Sequence, residues 1–356
     1  MRSLRLIAVV ALGSLIALPG CEPIEAGDDT VAVEAGALRP GELVVALALA
    51  QESDGAADPV LVTATITNLS NHPVKLLSWL LPDADLEEPL FDLRRGGAPV
   101  AFVGPHYKRP AATSADFVLL PAGASLVRTV DLARFYDLTI AGRYEIGLDL
   151  PLKQDHGRGI SAKGAGAWID RHSPAQPEAL EVTATAGTLG FSRCSTTQQV
   201  TITQAAAEAG RISDEAVAYL AGPPSATPRY TTWFGAFSSA GWNTATGHFS
   251  AIADAFASQN VVVDCNCKKK VYAYVYPNQP YNIYVCKAFW TAPLNGRDSK
   301  SGTLVHEMSH FDVTAGTDDF AYGQTACKTL AVSDPAKALD NADSHEYFAE
   351  NAPFLQ

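Results

Sequence analysis

His306-Glu307-Met308-Ser309-His310, followed by Gly316-Thr317-Asp318-Asp319-Phe320-Ala321-Tyr322-Gly323, is the stretch on which the reading of this chain turns. Residues four apart on a helix stand on one face, so His306 and His310 can present two imidazole nitrogens to one metal ion. Glu307 projects beside that face, where a carboxylate can take a proton from an attacking water. The setting suits a buried helix. Leu304, Val305, Met308 and Phe311 supply an apolar surface. Asp298 and Ser299 can cap a helix starting near Ser299, and Gly316 suits the turn beyond it. The bare pentapeptide also arises by chance, with its histidines solvated or capping buried polar groups. The context weighs against that. No third His follows at a useful spacing, so Asp318 and Asp319 are the local candidates for a third ligand, and spacing alone does not separate them. An Asp on a turn can coordinate zinc and leave one position open. The pattern points to the chemistry of a zinc peptidase.

H-E-x-x-H followed by G-T-x-D-x-x-Y-G resembles the signature of the deuterolysin, or aspzincin, family. Gly316, Thr317, Asp319, Tyr322 and Gly323 fill the fixed positions of the second motif. The resemblance implies that His306, His310 and Asp319 hold one Zn2+, with Asp318 the variable residue. It implies Glu307 as general base and Tyr322 as donor to the developing oxyanion. Without the motif, Tyr322 would read as a core tyrosine. Three further blocks resemble the peptidyl-Lys metalloendopeptidase branch: Ala226 to Gly235, Ala273 to Asn278, and Asn341 to Phe348. The likeness covers about residues 188–356. That branch cleaves on the amino side of lysine, and its acidic pocket falls on Asp343 and Glu346. Three apart on a helix, these acids share a face and can pair a buried ammonium. Read alone they would be a solvated helix face. His345 reads as structural, since the metal set is already filled.

The N-terminus reads as a targeting segment. Arg2 and Arg5 precede an apolar run from Leu6 to Leu18, too short and wrongly flanked to span a membrane. Leu18-Pro19-Gly20-Cys21 resembles a bacterial lipobox, with Pro19 off the usual pattern. The expectation is an exported protein: a cell-surface or outer-membrane lipoprotein anchored through Cys21, or released after processing. Membrane contact is expected only through that lipid. Export favours disulfides. Five cysteines remain besides Cys21, and the family pattern implies Cys194–Cys265 and Cys267–Cys286, leaving Cys327 free as a small buried hydrophobe. A zinc ribbon at Cys265-Asn266-Cys267 fails on spacing. The formal net charge of −12 argues against nucleic-acid binding.

Length suggests two domains. Residues 1–21 are the signal segment and 22–40 a Gly-, Ala- and acid-rich tether. Residues 41–152 carry short β-rich runs between turn signals: Leu43 to Leu49, Val60 to Thr67, Val74 to Leu80, Leu90 to Arg94 and Tyr144 to Leu150. They predict an all-β, immunoglobulin-like sandwich serving as a pro-domain. His72, His106 and His156 look isolated there, with surface or structural roles. Residues 153–187, rich in Gly, Ala, Ser and Pro, read as a linker. Residues 188–356 predict an α+β zincin-like catalytic domain. Its expected helices cover Thr197 to Leu220, Asn243 to Ala257, the zinc helix, about Ala321 to Ala331, and Ala342 to Glu350. Strands are expected at Val261 to Cys267, Val271 to Tyr276 and Asn282 to Cys286, with an edge strand and the zinc helix flanking a cleft.

The expected function is secreted zinc endopeptidase activity before lysine, on protein or peptide substrates with exposed lysine, with the chain's own N-terminal domain as inhibitor. Two alternatives stand beside it. One is a general deuterolysin-like protease without lysine preference. The other is an inactive surface-binding lipoprotein, which would be expected to have lost Glu307 or a ligand; all are present.

Overall fold

Alternation governs the first half of the chain. Along Leu61–Asn68, Val62, Ala64, Ile66 and Asn68 are buried and the residues between them are partly exposed. This is the period of a strand with one face on a core. The computed structural model describes residues 42–49, 59–110, 112–140, 142–152, 160–171 and 187–356. The signal segment, Cys21, the tether and His156 lie outside the described residues, as do 153–159 and 172–186 of the expected linker.

Among the described residues, ten strands form in this half: β1 (Leu43–Leu49), β2 (Leu61–Asn68), β3 (Val74–Leu77), β4 (Phe91–Arg95), β5 (Ala98–Pro99), β6 (His106–Lys108), β7 (Phe117–Leu120), β8 (Ser125–Asp131), β9 (Gly142–Leu152) and β10 (Ile160–Arg171). Seven make one sheet in the order β5-β4-β9-β10-β1-β2-β8, in which only β1 and β10 run parallel. The pair β3–β7 shares its core, with Val74, Leu76 and Leu120 packed in one cluster with Val45, Ile66 and Ile146.

β10 corrects the expected linker. Ser-Ala-Lys-Gly-Ala-Gly-Ala offers neither bulk nor apolar alternation, the signals by which a strand is read. Backbone pairing with β9 on one side and β1 on the other carries it instead, with an irregularity between Gly164 and Ala167. The β-rich part therefore extends to Arg171.

The second half alternates helix and strand: β11 (Leu189–Ser192), α1 (Thr196–Leu220), α2 (Pro228–Phe234), α3 (Ser239–Ser258), β12 (Val261–Asp264), β13 (Ala273–Val275), β14 (Asn282–Val285), α4 (Lys287–Thr291), α5 (Lys300–His310), α6 (Gln324–Ser333), α7 (Pro335–Leu339) and α8 (Ala342–Glu350). Ser195 caps α1 with a reciprocal capping box to Gln198. Ala205, Ala209 and Ala216 on α1 let neighbouring backbones approach, and the shared core includes Phe249 of α3, Val305 and Met308 of α5, and Phe348 of α8. Disulfides Cys194–Cys265 and Cys267–Cys286 tie down the chain around β11, β12 and β14, and Cys327 is free and buried in α6.

The sheet of this half runs β11-β12-β14-β13-β6. Its last strand comes from the first half of the chain. β6 pairs antiparallel with β13, in the register Ala273 with Lys108, Tyr274 with Tyr107 and Val275 with His106. The Tyr272 amide also donates to the Lys108 carbonyl at 2.9 Å. The expected edge strand is thus covered by a segment that sequence reading left without a role. Both halves belong to one compact unit, Ala35–Gln356.

Candidate active site

The helix that carries His306 and His310 is fixed at its start by an acid from elsewhere. Ser299 caps α5, its hydroxyl accepting from the Gly302 amide at 2.9 Å. Glu350, at the end of α8, accepts from the Ser299 amide at 2.8 Å, the Ser299 hydroxyl at 2.6 Å and the Asp298 amide at 3.2 Å. A carboxylate there satisfies free amides and complements the helix dipole. Gly302 makes room for the same contact, since a Cβ there would push the Glu350 carboxylate aside. All of Lys300–His310 is buried.

Beyond α5 the chain turns through Gly316, at φ +59°, and the Thr317 amide donates back to Ser309. The Asp318 backbone bonds to Asp340 and Ala342, anchoring the loop against the start of α8. This anchoring delivers Asp319 to the histidines. Nε2 of His306 and Nε2 of His310 lie 3.2 Å apart. Oδ1 of Asp319 is 3.3 Å from the first and Oδ2 is 3.4 Å from the second. Donors about 2.0–2.1 Å from a tetrahedral ion stand roughly 3.3 Å apart. The Asp319 carboxylate oxygens are buried and face only the two imidazoles, an arrangement a protein interior seldom leaves uncompensated. Donor type, spacing and these buried oxygens all fit a zinc ion. Asp318 is half-exposed and points elsewhere, with Oδ1 3.8 Å from Nδ1 of His106.

Outer contacts orient the two imidazoles. Nδ1 of His306 lies 2.8 Å from Oδ1 of Asp343, and Nδ1 of His310 lies 2.6 Å from the Thr317 carbonyl. Such partners fix the ring and turn the other nitrogen inward. Asp343 therefore has two contacts that sequence reading did not foresee, the second being the Gly323 amide, which donates to its Oδ2 at 2.7 Å.

Asp343 and Glu346 also meet a lysine. Nζ of Lys108 is 3.2 Å from Oδ1 of Asp343 and in contact with Glu346, and none of the three is more than 1% exposed. One residue earlier, the Tyr107 carbonyl accepts from the Tyr322 hydroxyl at 2.8 Å. Tyr322 lies on the loop rather than on the expected helix, because Gly323 at φ +82° delays α6 to Gln324. His345 is buried, its Nε2 2.9 Å from Nδ1 of His248 rather than turned to His306, His310 and Asp319.

His106 overturns its expected isolation. It is buried, its ring centroid is 4.9 Å from that of His310, and it offers a ligand nitrogen grouped with those of His310 and Asp319. The signal available was the triplet His106-Tyr107-Lys108 between Pro105 and Arg109-Pro110, with a lysine the expected pocket could hold. His72, by contrast, bonds locally around Ser70.

Charge states follow from burial set against close partners. Burial pulls His310 down, but Asp319 beside it outweighs this and holds it up at about 9. Burial dominates at His306 and lowers it. Burial would raise Asp319, yet His310 and His306 hold it well below the usual carboxylate range. Burial raises Glu307 well above its ordinary value, only partly offset by His310 and the Lys108 amide. For Lys108 the desolvation cost is exceeded by attraction to Asp343 and Glu346, so its ammonium is strongly retained.

Comparison with known proteins gives the family of the chain. A family model described as lysine-specific metallo-endopeptidase matches residues 219–350. An extracellular protease of Aeromonas hydrophila is 43% identical over 313 residues, 84% of this chain and 90% of that one. A peptidyl-Lys metalloendopeptidase of Grifola frondosa is 36% identical over 82% of this chain and 88% of its own length. Another, of Pleurotus ostreatus, is 48% identical over 46% of this chain and 98% of its own. The chain belongs to the aspzincin family and is a zinc metalloendopeptidase, a hydrolase of peptide bonds.

Proposed function

We propose that this is a secreted endopeptidase that cuts on the amino side of lysine, and that its first half holds it latent by laying β6 along the cleft as a substrate would lie. The observation that carries both parts is Lys108, buried between Asp343 and Glu346 one residue after a carbonyl bonded to Tyr322. Added-strand pairing with β13 supplies main-chain affinity without sequence preference, while the acidic pocket supplies the preference.

His306, His310 and Asp319 would hold the metal. Bound there, zinc supplies Lewis acidity and makes water a competent nucleophile near neutral pH. Glu307 takes the proton from the attacking water and returns it to the leaving amine. Its burial makes the ionised carboxylate a stronger base than an ordinary glutamate. Tyr322, whose burial keeps the phenol protonated, donates to the oxygen as negative charge grows there. Asp343 and Glu346 hold the substrate ammonium, and Asp343 couples that pocket to His306.

Secretion is supported by the name of the Aeromonas relative, the targeting-like N-terminus and two disulfides. Anchoring through Cys21 rests on the lipobox-like Leu18 to Cys21 alone. Digesting an unstructured protein mixture with the processed chain, then reading new N-termini by mass spectrometry, tests specificity. Predominant lysine is expected; mixed residues would mean a general protease. Comparing the full chain with residues 188–356 tests latency, and equal activity would remove it.

A further inference from the structure

β6 presents almost every feature of a productive substrate. Its strand is paired, its lysine sits in the acidic pocket, and the Tyr107 carbonyl is held by Tyr322. The Lys108 amide bears on Glu307. By these contacts Tyr107–Lys108 is the bond this enzyme should cut. A durable inhibitor needs something that spares it. The residue two before Lys108 on the strand is His106, and side chains two apart share a face. Its imidazole lies beside His310, and its ligand nitrogen and those of His310 and Asp319 all lie within 4.8 Å of one another.

Nδ1 of His306 and Nδ1 of His310 each meet an outer oxygen within hydrogen-bond reach, and Nδ1 of His106 has the Asp318 carboxylate on its side at 3.8 Å, a charge neighbour rather than a hydrogen bond. An outer oxygen opposite one ring nitrogen is the usual setting of a metal-bound imidazole. The three donors already described leave one position of a tetrahedral zinc unfilled, the position catalysis needs.

We propose that His106 is a fourth zinc donor supplied by the first half of the chain, so that β6 is latched to the metal as well as to the lysine pocket. While His106 holds that position, the attacking water has no place at the metal and Tyr107–Lys108 survives. This rests on His306, His310 and Asp319 being the zinc donors. Loss of His106 turns the latch into a substrate: water adds its oxygen to the Tyr107 carbonyl carbon, the carbon–nitrogen bond breaks, and the Lys108 nitrogen leaves as a protonated amine.

The test uses the full chain with Glu307→Ala to prevent turnover, loaded with Co2+ in place of zinc. The visible spectrum and X-ray absorption are compared with and without His106→Ala. Three imidazoles are expected in the parent and two in the variant, with metal released to a chelator at least tenfold faster from the variant. Added imidazole should restore the parent spectrum, which separates lost ligation from misfolding. With Glu307 intact, His106→Ala and His106→Gln should yield a fragment beginning at Lys108. Identical spectra and release rates in parent and variant would overturn the proposal while leaving the three-donor site in place. Failure of the parent to take up one metal per chain would instead overturn the reading of His306, His310 and Asp319.

Discussion

Lys108→Met is the sharpest perturbation of the proposed latent state. Methionine keeps much of the lysine stem's volume and removes its charge. In the parent, the ammonium stands between two carboxylates, all of them essentially excluded from solvent. Removing one partner of a buried ion pair costs about 3–5 kcal/mol, because the charges left behind stay desolvated. If β6 lifts away, Asp343 and Glu346 regain water, so the whole cost falls on the closed form. At about 1.4 kcal/mol per decade, the ratio of closed to open chains should fall by roughly two to four powers of ten. The assay is initial-rate hydrolysis of a quenched lysine-containing peptide by freshly purified full chain, before any processing seen by intact mass. The variant should show activity well above the parent's background. Parent and variant equally silent, with both folded and metal-loaded, would refute the claim that this contact holds the latch.

Glu307→Ala should lower hydrolysis by at least 10²–10⁴-fold, the usual worth of a general base, while metal analysis still finds one zinc per chain. Asp319→Ala should lose zinc under mild dialysis; full retention would send attention to Asp318. Asp343→Asn should weaken zinc binding by roughly 10–100-fold through His306 and also flatten the lysine preference, an effect on both readouts that a pure pocket residue would not have. Glu350 supplies the pH dependence. Burial raises it from 4.5 to about 7 despite the bonds from Ser299. The folded chain then binds this proton more tightly than the unfolded chain, so stability falls as pH rises from about 4.5 to 7, by roughly 3 kcal/mol from this residue. Thermal melts of Glu350→Gln should lose that part of the slope, and an unchanged slope would count against it.

Legibility in the sequence followed the range of the interactions. His306, Glu307 and His310 lie on one helix, where the helical period acts locally, while Asp319 was separated from Asp318 only by the family motif. Asp343 and Glu346 needed the matching family block, since two acids on a helix otherwise read as a solvated face. The contacts that fill the cleft were out of reach: Lys108 and Asp343 are 235 positions apart, and only strand pairing brings them together. His106 therefore passed as an isolated histidine. Among elements, α1 was read from its apolar positions, although Val200 and Ala207 among them prove exposed, and α8 came with the family block. α2, α4 and α7 are too short to show a period, although Thr227 before Pro228 is a cap signal that marks the first of them. β10 escaped because backbone hydrogen bonding, not apolar pattern, makes it a strand.

The pairing of β6 with β13 also bears on how this protein survives its own export. A protease cleft that binds extended peptides is an open sheet edge, with unpaired amides and carbonyls facing outward. Other unfolded chains would find that edge as readily as a substrate does, and so would a second copy of this one. Strand β6 ends the sheet with a partner from the same molecule. The β13 edge proposed to receive substrate is thereby closed to pairing with another chain for as long as β6 stays in place.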